Sequence, residues 1–142
     1  MHTVHVPASG PPVTDTTIGA VLAGRLVKPL FQPIVDLSTR AVMGLEALAR
    51  GPAGTALEFP DQLFAAAGAA GRLGELDMLC SERALECAVA ASEPPPLLFV
   101  NAEPAVMDQP PSPRLVELIE SGLLFREILE YTDARCRPCP AA

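Results

Sequence analysis

The order of hydrophobic and polar residues divides this chain into short strand-like and helix-like segments. Apolar residues dominate positions 31–37 and 41–49, and a tight polar turn separates the two runs. This arrangement predicts two strands joined as an antiparallel pair. Because side chains alternate between the two faces of a strand, Glu46, Leu48 and Arg50 are expected to point the same way.

The pattern beyond this strand pair predicts helices that alternate with further strands. Phe59, Pro60 and Asp61 open a helix, because proline suits the first helical turn and a carboxylate there favours the helix dipole. Ser112 is placed to cap the N-terminus of a later helix. The predicted elements are a helix from residue 59, a helix over 76–91, a strand at 97–100, a helix over 113–121 and a strand at 127–132.

The predicted order β-β-α-α-β-α-β places the chain in the α/β class. Strands that alternate with helices indicate a parallel sheet with helices on its faces. Residues 26–133 are predicted to form one domain, preceded by a flexible tail or linker at 1–25 and followed by an unstructured tail at 134–142. The segment 18–27 has apolar residues at helical spacing, and it suits a short helix or the end of a linker equally well.

Composition narrows the classes of function. The chain has 142 residues, of which 49% are hydrophobic, so a buried core is expected. A net charge of −7 argues against a protein that binds nucleic acid polymers. No apolar run approaches the roughly 20 residues of a membrane span, and no secretory signal opens the chain, so we expect a cytoplasmic protein that does not bind membranes.

Short motifs follow one another along the predicted strands. A Glu-Ala-Leu triplet occupies residues 46–48, Asn101 ends the apolar strand, and Glu-Tyr-Thr-Asp occupies residues 130–133. Together with the start of the first helix at 59–64, these motifs resemble the EAL domain family, the cyclic di-GMP phosphodiesterases, which is named for the triplet. The resemblance covers about residues 26–133 and corresponds to the N-terminal half of the family's domain.

The resemblance implies a metal site and a dinucleotide site at the carboxyl ends of the strands of a TIM-type barrel whose first strand is antiparallel. Carboxylate and amide oxygens are hard donors that suit Mg²⁺ or Mn²⁺. An arginine can hold a phosphate through two hydrogen bonds. Taken alone, Asn101 is explained as well by a strand-end cap, and Glu130 by a solvated carboxylate. The implied metal ligands are Glu46, Asn101 and Glu130, and the implied dinucleotide contacts are Gln32, Leu48 and Arg50.

The family's domain continues with groups that do not follow Asp133 in this sequence. They are an Asp-Asp pair, a lysine strand, a further metal-binding glutamate and a late glutamine, whereas two-metal hydrolysis of a phosphodiester needs both ions. We therefore expect a truncated barrel that is catalytically inactive alone and binds cyclic di-GMP weakly through Gln32 and Arg50. Unpaired strand edges also predict self-association. The alternatives are a non-catalytic interaction module and a remnant without function.

Overall fold

The computed structural model describes residues 16–92 and 97–121, together with the backbone of Ile128–Glu130. Residues 1–15 of the predicted N-terminal tail, and the whole predicted tail at 134–142, lie outside the described residues. The elements are α1 (Ile18–Ala23), β1 (Lys28–Val35), β2 (Val42–Arg50), α2 (Pro60–Ala69), α3 (Leu73–Val89), β3 (Leu98–Val100), a short 3-10 helix (Pro104–Val106), α4 (Pro113–Ser121) and β4 (Ile128–Glu130).

The strands form one sheet in the order β1-β2-β3-β4. Strand β1 is antiparallel to β2, and β3 and β4 follow β2 in parallel. Asp36 fixes the turn between β1 and β2, because its carboxylate accepts hydrogen bonds from the backbone N–H groups of Thr39 (2.8 Å) and Ser38 (2.7 Å). These bonds lower the pKa of the Asp36 carboxyl, and the bond from Thr39 has the largest effect. The mixture of helices and strands confirms the predicted α/β class.

Local sequence determines where the helices start and stop. Pro60 is the first residue of α2 and Asp61 lies in its first turn, as predicted. Gly71 adopts a φ of 67°, a left-handed conformation open to glycine, and so separates α2 from α3. Helix α3 begins at Leu73, three residues before its predicted start. In the part of the chain that the structure describes, every helix is too short or too polar to cross a lipid bilayer.

The described core falls into two clusters that share α3. Val21 of α1 is fully buried in the first cluster, so residues 18–23 pack with the domain although the sequence pattern placed them in the tail at 1–25. A helix this short is stable only when its apolar side is covered. The first cluster comprises Val21, Val27, Leu57, Leu63, Ala67, Leu76, Leu79 and Cys80, and the second comprises Ala47, Ala84, Leu85, Ala88, Leu98, Val100 and Leu118.

A buried carboxylate joins α3 to the segments on either side of it. Glu82 accepts a hydrogen bond of 2.7 Å from Nη1 of Arg25, which follows α1, and another from the hydroxyl of Ser112. The hydroxyl oxygen of Ser112 in turn accepts a 3.0 Å bond from the N–H of Leu115, which confirms it as the N-cap of α4. Glu82 is thus paired on both sides, as a buried charge must be.

The two faces of the sheet differ in their cover. On the covered face, the buried residues Ala47, Leu98 and Val100 pack in the second cluster with α3 and α4. The alternate residues are exposed or half-buried, and neither cluster of the described core includes them. We call this second side the open face. By strand register it carries Lys28, Leu30, Gln32, Glu46, Leu48, Arg50 and Phe99.

Gly51 should be intolerant of any side chain. The carbonyl oxygen of Leu57 lies where a Cβ atom at residue 51 would stand, so Gly51→Ala must displace backbone and should lower the free energy of unfolding by about 1–3 kcal/mol. Gly68→Ala on α2 is the matched control, because no atom lies within 4 Å of its added Cβ. The control should be neutral or stabilising by about 0.5–1 kcal/mol. Urea unfolding measures both, and equal stabilities would contradict this interpretation.

Candidate functional site

Two polar side chains meet at the carboxyl ends of the parallel strands β2 and β3. Glu46 is paired with Phe99 in the register of these strands, and Asn101 lies two residues beyond Phe99, on the same face. The Nδ2 atom of Asn101 donates a hydrogen bond of 3.1 Å to Oε1 of Glu46. The structure therefore brings together Glu46 and Asn101, two of the implied metal ligands.

Phe99 and Gly44 form part of the surface beside this pair. A Cβ atom at residue 44 would stand 2.8 Å from Cε2 of the Phe99 ring, so the ring occupies space that only glycine leaves free. Sequence analysis missed both residues. The available signal was a glycine inside a strand, two residues before Glu46, because such a glycine often marks a close approach of another group.

Two cationic residues lie at the end of β2. Arg50 is opposite Lys28 in the antiparallel register with β1, so both belong to the open face. Nη1 of Arg50 donates a hydrogen bond of 2.7 Å to the carbonyl oxygen of Ala49, which holds one side of the guanidinium against the strand. Lys28 was not predicted as a site residue, since the register that places it opposite Arg50 depends on the length of the turn.

The other two implied dinucleotide contacts also belong to the open face. Gln32 of β1 is directly opposite Glu46, and Leu48 is opposite Leu30. Side chains that are directly opposite in an antiparallel pair lie on one face, with Cβ atoms about 4.5–5.5 Å apart. The register thus places an amide beside the carboxylate and two leucines between that pair and the cations.

Glu130, the third implied metal ligand, is described only through its backbone. In the parallel register of β3 and β4 it is paired with Val100, a residue of the covered face, while Leu129 is paired with Phe99 of the open face. Its side chain and residues 131–133 of the last motif lie outside the described part of the chain. The structure therefore tests the position of Glu46 relative to Asn101, and leaves the implied role of Glu130 as a prediction.

The donors at the strand ends supply part of the coordination shell of one hard cation. Glu46 offers carboxylate oxygens, and Asn101 would offer its carbonyl oxygen once the amide, whose nitrogen now faces Glu46, is turned. Among residues 16–92 and 97–121, no group of three His, Cys, Asp or Glu side chains is arranged to hold a metal ion. Two donors of this kind suit Mg²⁺ or Mn²⁺, which usually keep several waters.

Comparison with known proteins assigns the family. The model of the EAL domain matches residues 19–131, which is most of the chain. The chain belongs to the EAL domain family. The match begins within α1, in agreement with the burial of Val21, and ends at the residue after β4. None of the curated proteins matches the chain.

Two solved EAL domains show the same fold. The FimX EAL domain of Xanthomonas citri, solved in complex with c-di-GMP, is 19% identical to this chain and has a TM-score of 0.57. The match covers 76% of this chain and 42% of the FimX chain. The FimX EAL domain of Pseudomonas aeruginosa, bound to c-di-GMP, is 21% identical with a TM-score of 0.53, over 75% of this chain and 43% of its own. This chain thus spans about two fifths of each.

The pair formed by Glu46 and Asn101 should contribute little to stability, because its hydrogen bond is exposed. Glu46→Ala removes the acceptor and should lower the free energy of unfolding by about 0.5–1.5 kcal/mol. Glu46→Gln retains an acceptor and should stay within about 0.5 kcal/mol of the original chain. Urea unfolding followed by circular dichroism compares the three proteins. Loss of cooperative unfolding in Glu46→Ala would instead assign the pair a structural role.

Proposed function

We propose that this chain binds cyclic di-GMP on its open face, at the ends of β2 and β3, and that these 142 residues alone do not hydrolyse it. The observation that supports the proposal best is the placement of Glu46, Asn101 and Arg50 around one end of one face. It occurs in a member of the EAL domain family, and two similar EAL domains were solved with this dinucleotide.

The chemistry of the open face suits a ligand with phosphates and flat bases. The guanidinium of Arg50 can pair with a phosphate without any metal, and Lys28 adds a second positive charge nearby. Leu30 and Leu48 provide an apolar surface on which a purine can lie. Gln32 provides both a donor and an acceptor for the edge of a base.

A divalent cation would be held by Glu46 and Asn101. Glu130 is the third ligand that the family resemblance implies, although its register partner Val100 belongs to the covered face. Bound there, Mg²⁺ or Mn²⁺ would supply charge stabilisation to an adjacent phosphate. This set provides ligands for one ion. Hydrolysis of a phosphodiester by this family's route requires two, and the family's Asp-Asp pair does not occur among these residues. Binding without turnover in the cytoplasm is therefore the function we propose.

The first prediction concerns binding of cyclic di-GMP by the whole 142-residue chain. Arg50→Ala should weaken binding by about tenfold or more, because it removes a charged hydrogen-bond donor to a phosphate. Arg72→Ala is the matched control: it removes the same charge from the α2–α3 junction, where Arg72 forms an exposed ion pair with Glu75. Calorimetric titration compares them. Equal affinities in both variants would reject Arg50 as a ligand contact.

The original chain and its Glu46→Ala variant test the absence of turnover. Product formation from cyclic di-GMP in Mg²⁺ or Mn²⁺ should stay at background over hours, since losing even one group that stabilises the transition state costs about a hundred- to a thousandfold. Glu46→Ala serves as the control for contaminating activity. Turnover that is present in the original chain and absent from Glu46→Ala would contradict the proposal.

Self-association is the second part of the proposal, and the open face is its expected surface. Leu30 there is 45% exposed. The outer strand β1 contains Pro29 and Pro33, which lack the N–H groups that a new neighbouring strand would need. Association should therefore bury the open face, in competition with the dinucleotide, and not extend the sheet at β1.

Sedimentation velocity tests this surface. Leu30→Gln should shift the chain toward monomer, because it makes the open face more polar. Leu37→Gln is the matched control, since Leu37 is 90% exposed in the turn after β1 and lies outside the open face. A monodisperse monomer before any substitution, or an equal effect of both substitutions, would contradict the proposal.

A further inference from the structure

The connection between β3 and α4, residues 101–112, lies against one side of α3. It begins at Asn101, and the short 3-10 helix is its regular structure. It ends at Ser112, whose N–H donates a hydrogen bond of 3.4 Å to Sδ of Met78 on α3. Because few backbone groups of this connection bond within a helix or strand, its position depends on the contacts that it makes with α3.

Two further contacts attach the first part of the connection to α3. The backbone N–H of Glu103 donates a hydrogen bond of 3.0 Å to Oδ1 of Asp77. The side-chain amide of Gln109 fills the space in which a Cβ atom at Gly74 would stand. Residues 74, 77 and 78 are spaced by three and four positions, so the three contacts use one side of the helix.

The hydrogen bond to Asp77 is the contact nearest to the proposed site. Glu103 lies two residues beyond Asn101, whose side-chain amide donates to Glu46. The bond from Glu103 to Asp77 is partly buried, which reduces the competition of water for the N–H. A carboxylate is also a stronger acceptor than an uncharged carbonyl oxygen. Asp77 therefore restricts the backbone directly after Asn101.

We propose that Asp77 is a positioning residue for Asn101, through its hydrogen bond to the N–H of Glu103. This inference rests on the proposed function, in which Asn101 holds a divalent cation beside Glu46. Groups that bind a ligand are placed accurately only when the segments that carry them are fixed by their surroundings. Asp77 provides this restraint from α3, whose opposite side is buried in the core.

The first test needs no ligand and follows the side-chain amide of Asn101 by NMR in the whole chain. Glu46→Ala gives the reference signal, because it removes the acceptor of the Asn101 bond. Asp77→Ala should move the Asn101 signal toward this reference. Asp77→Asn, which keeps an oxygen acceptor, should leave the signal near that of the original chain. An Asn101 signal that is the same in Asp77→Ala and the original chain would overturn the proposal.

Glu103→Pro tests the same hydrogen bond from its donor and leaves α3 unchanged, in case Asp77→Ala does not fold. Proline has no N–H, and the φ of −77° at residue 103 is one that proline adopts. Glu103→Ala is the matched control, since it removes the same side chain and keeps the N–H. The Asn101 signal should move further in Glu103→Pro than in Glu103→Ala, and equal signals in these two variants would overturn the proposal.

Titration with Mn²⁺ alone measures the consequence for the proposed site. Removing a group that hydrogen-bonds directly to a metal ligand typically weakens metal binding about 10–100-fold, and Asp77 acts one step further from the ion, so Asp77→Ala should weaken Mn²⁺ binding by about three- to tenfold. Asp77→Asn should bind Mn²⁺ like the original chain, and equal affinity in Asp77→Ala would overturn the proposal. Absence of Mn²⁺ binding by the original chain would reject the metal site of the proposed function, while the Asn101 signals would still decide the role of Asp77.

Discussion

The packing of α3 against one face of the sheet is the interaction on which the rest of this structure depends. The first half of α3 buries Leu76 and Leu79 against α1 and α2, and its second half buries Ala84, Leu85 and Ala88 against the strands. Apolar burial is the main favourable term in folding, and a sheet without a covered face has no core. The paired carboxylate of Glu82 then ties the flanking segments to this helix, because leaving it unpaired would be costly.

Because strand side chains alternate between the two faces, the packing beneath α3 also determines which residues form the site. Once the small and branched side chains of β2 and β3 are buried beneath α3, the residues between them must occupy the other face. The functional candidates Glu46 and Arg50 belong to that second set, and Asn101 follows the same alternation past the end of β3. Parallel pairing brings the ends of β2 and β3 together, so residues 55 positions apart in sequence form a hydrogen bond.

The sequence predicts the parts of this arrangement that depend on local rules. The strand pair, the proline start of α2 and the Ser112 cap follow from turn and capping chemistry, and the family follows from ordered motifs. Tertiary packing determines the features that these local rules do not predict. The burial of Val21 depends on α2 and α3, which lie far along the chain, and the position of Lys28 opposite Arg50 depends on pairing across a turn. Hydrophobic periodicity along the sequence predicts neither the burial of Val21 nor the position of Lys28, because both require the partner segment to be in place.

Strand β2 separates two environments whose chemistry is opposed. Its even-numbered residues Glu46, Leu48 and Arg50 serve the open face, while Ala47 and Ala49 pack with the core on the covered face. Nη1 of Arg50 donates a hydrogen bond of 2.7 Å to the carbonyl oxygen of Ala49. The guanidinium that we propose for a phosphate is therefore anchored to the backbone of a residue whose side chain packs with the core. The position of Arg50 thus depends on the packing beneath β2, because that packing fixes the carbonyl group to which it is bound.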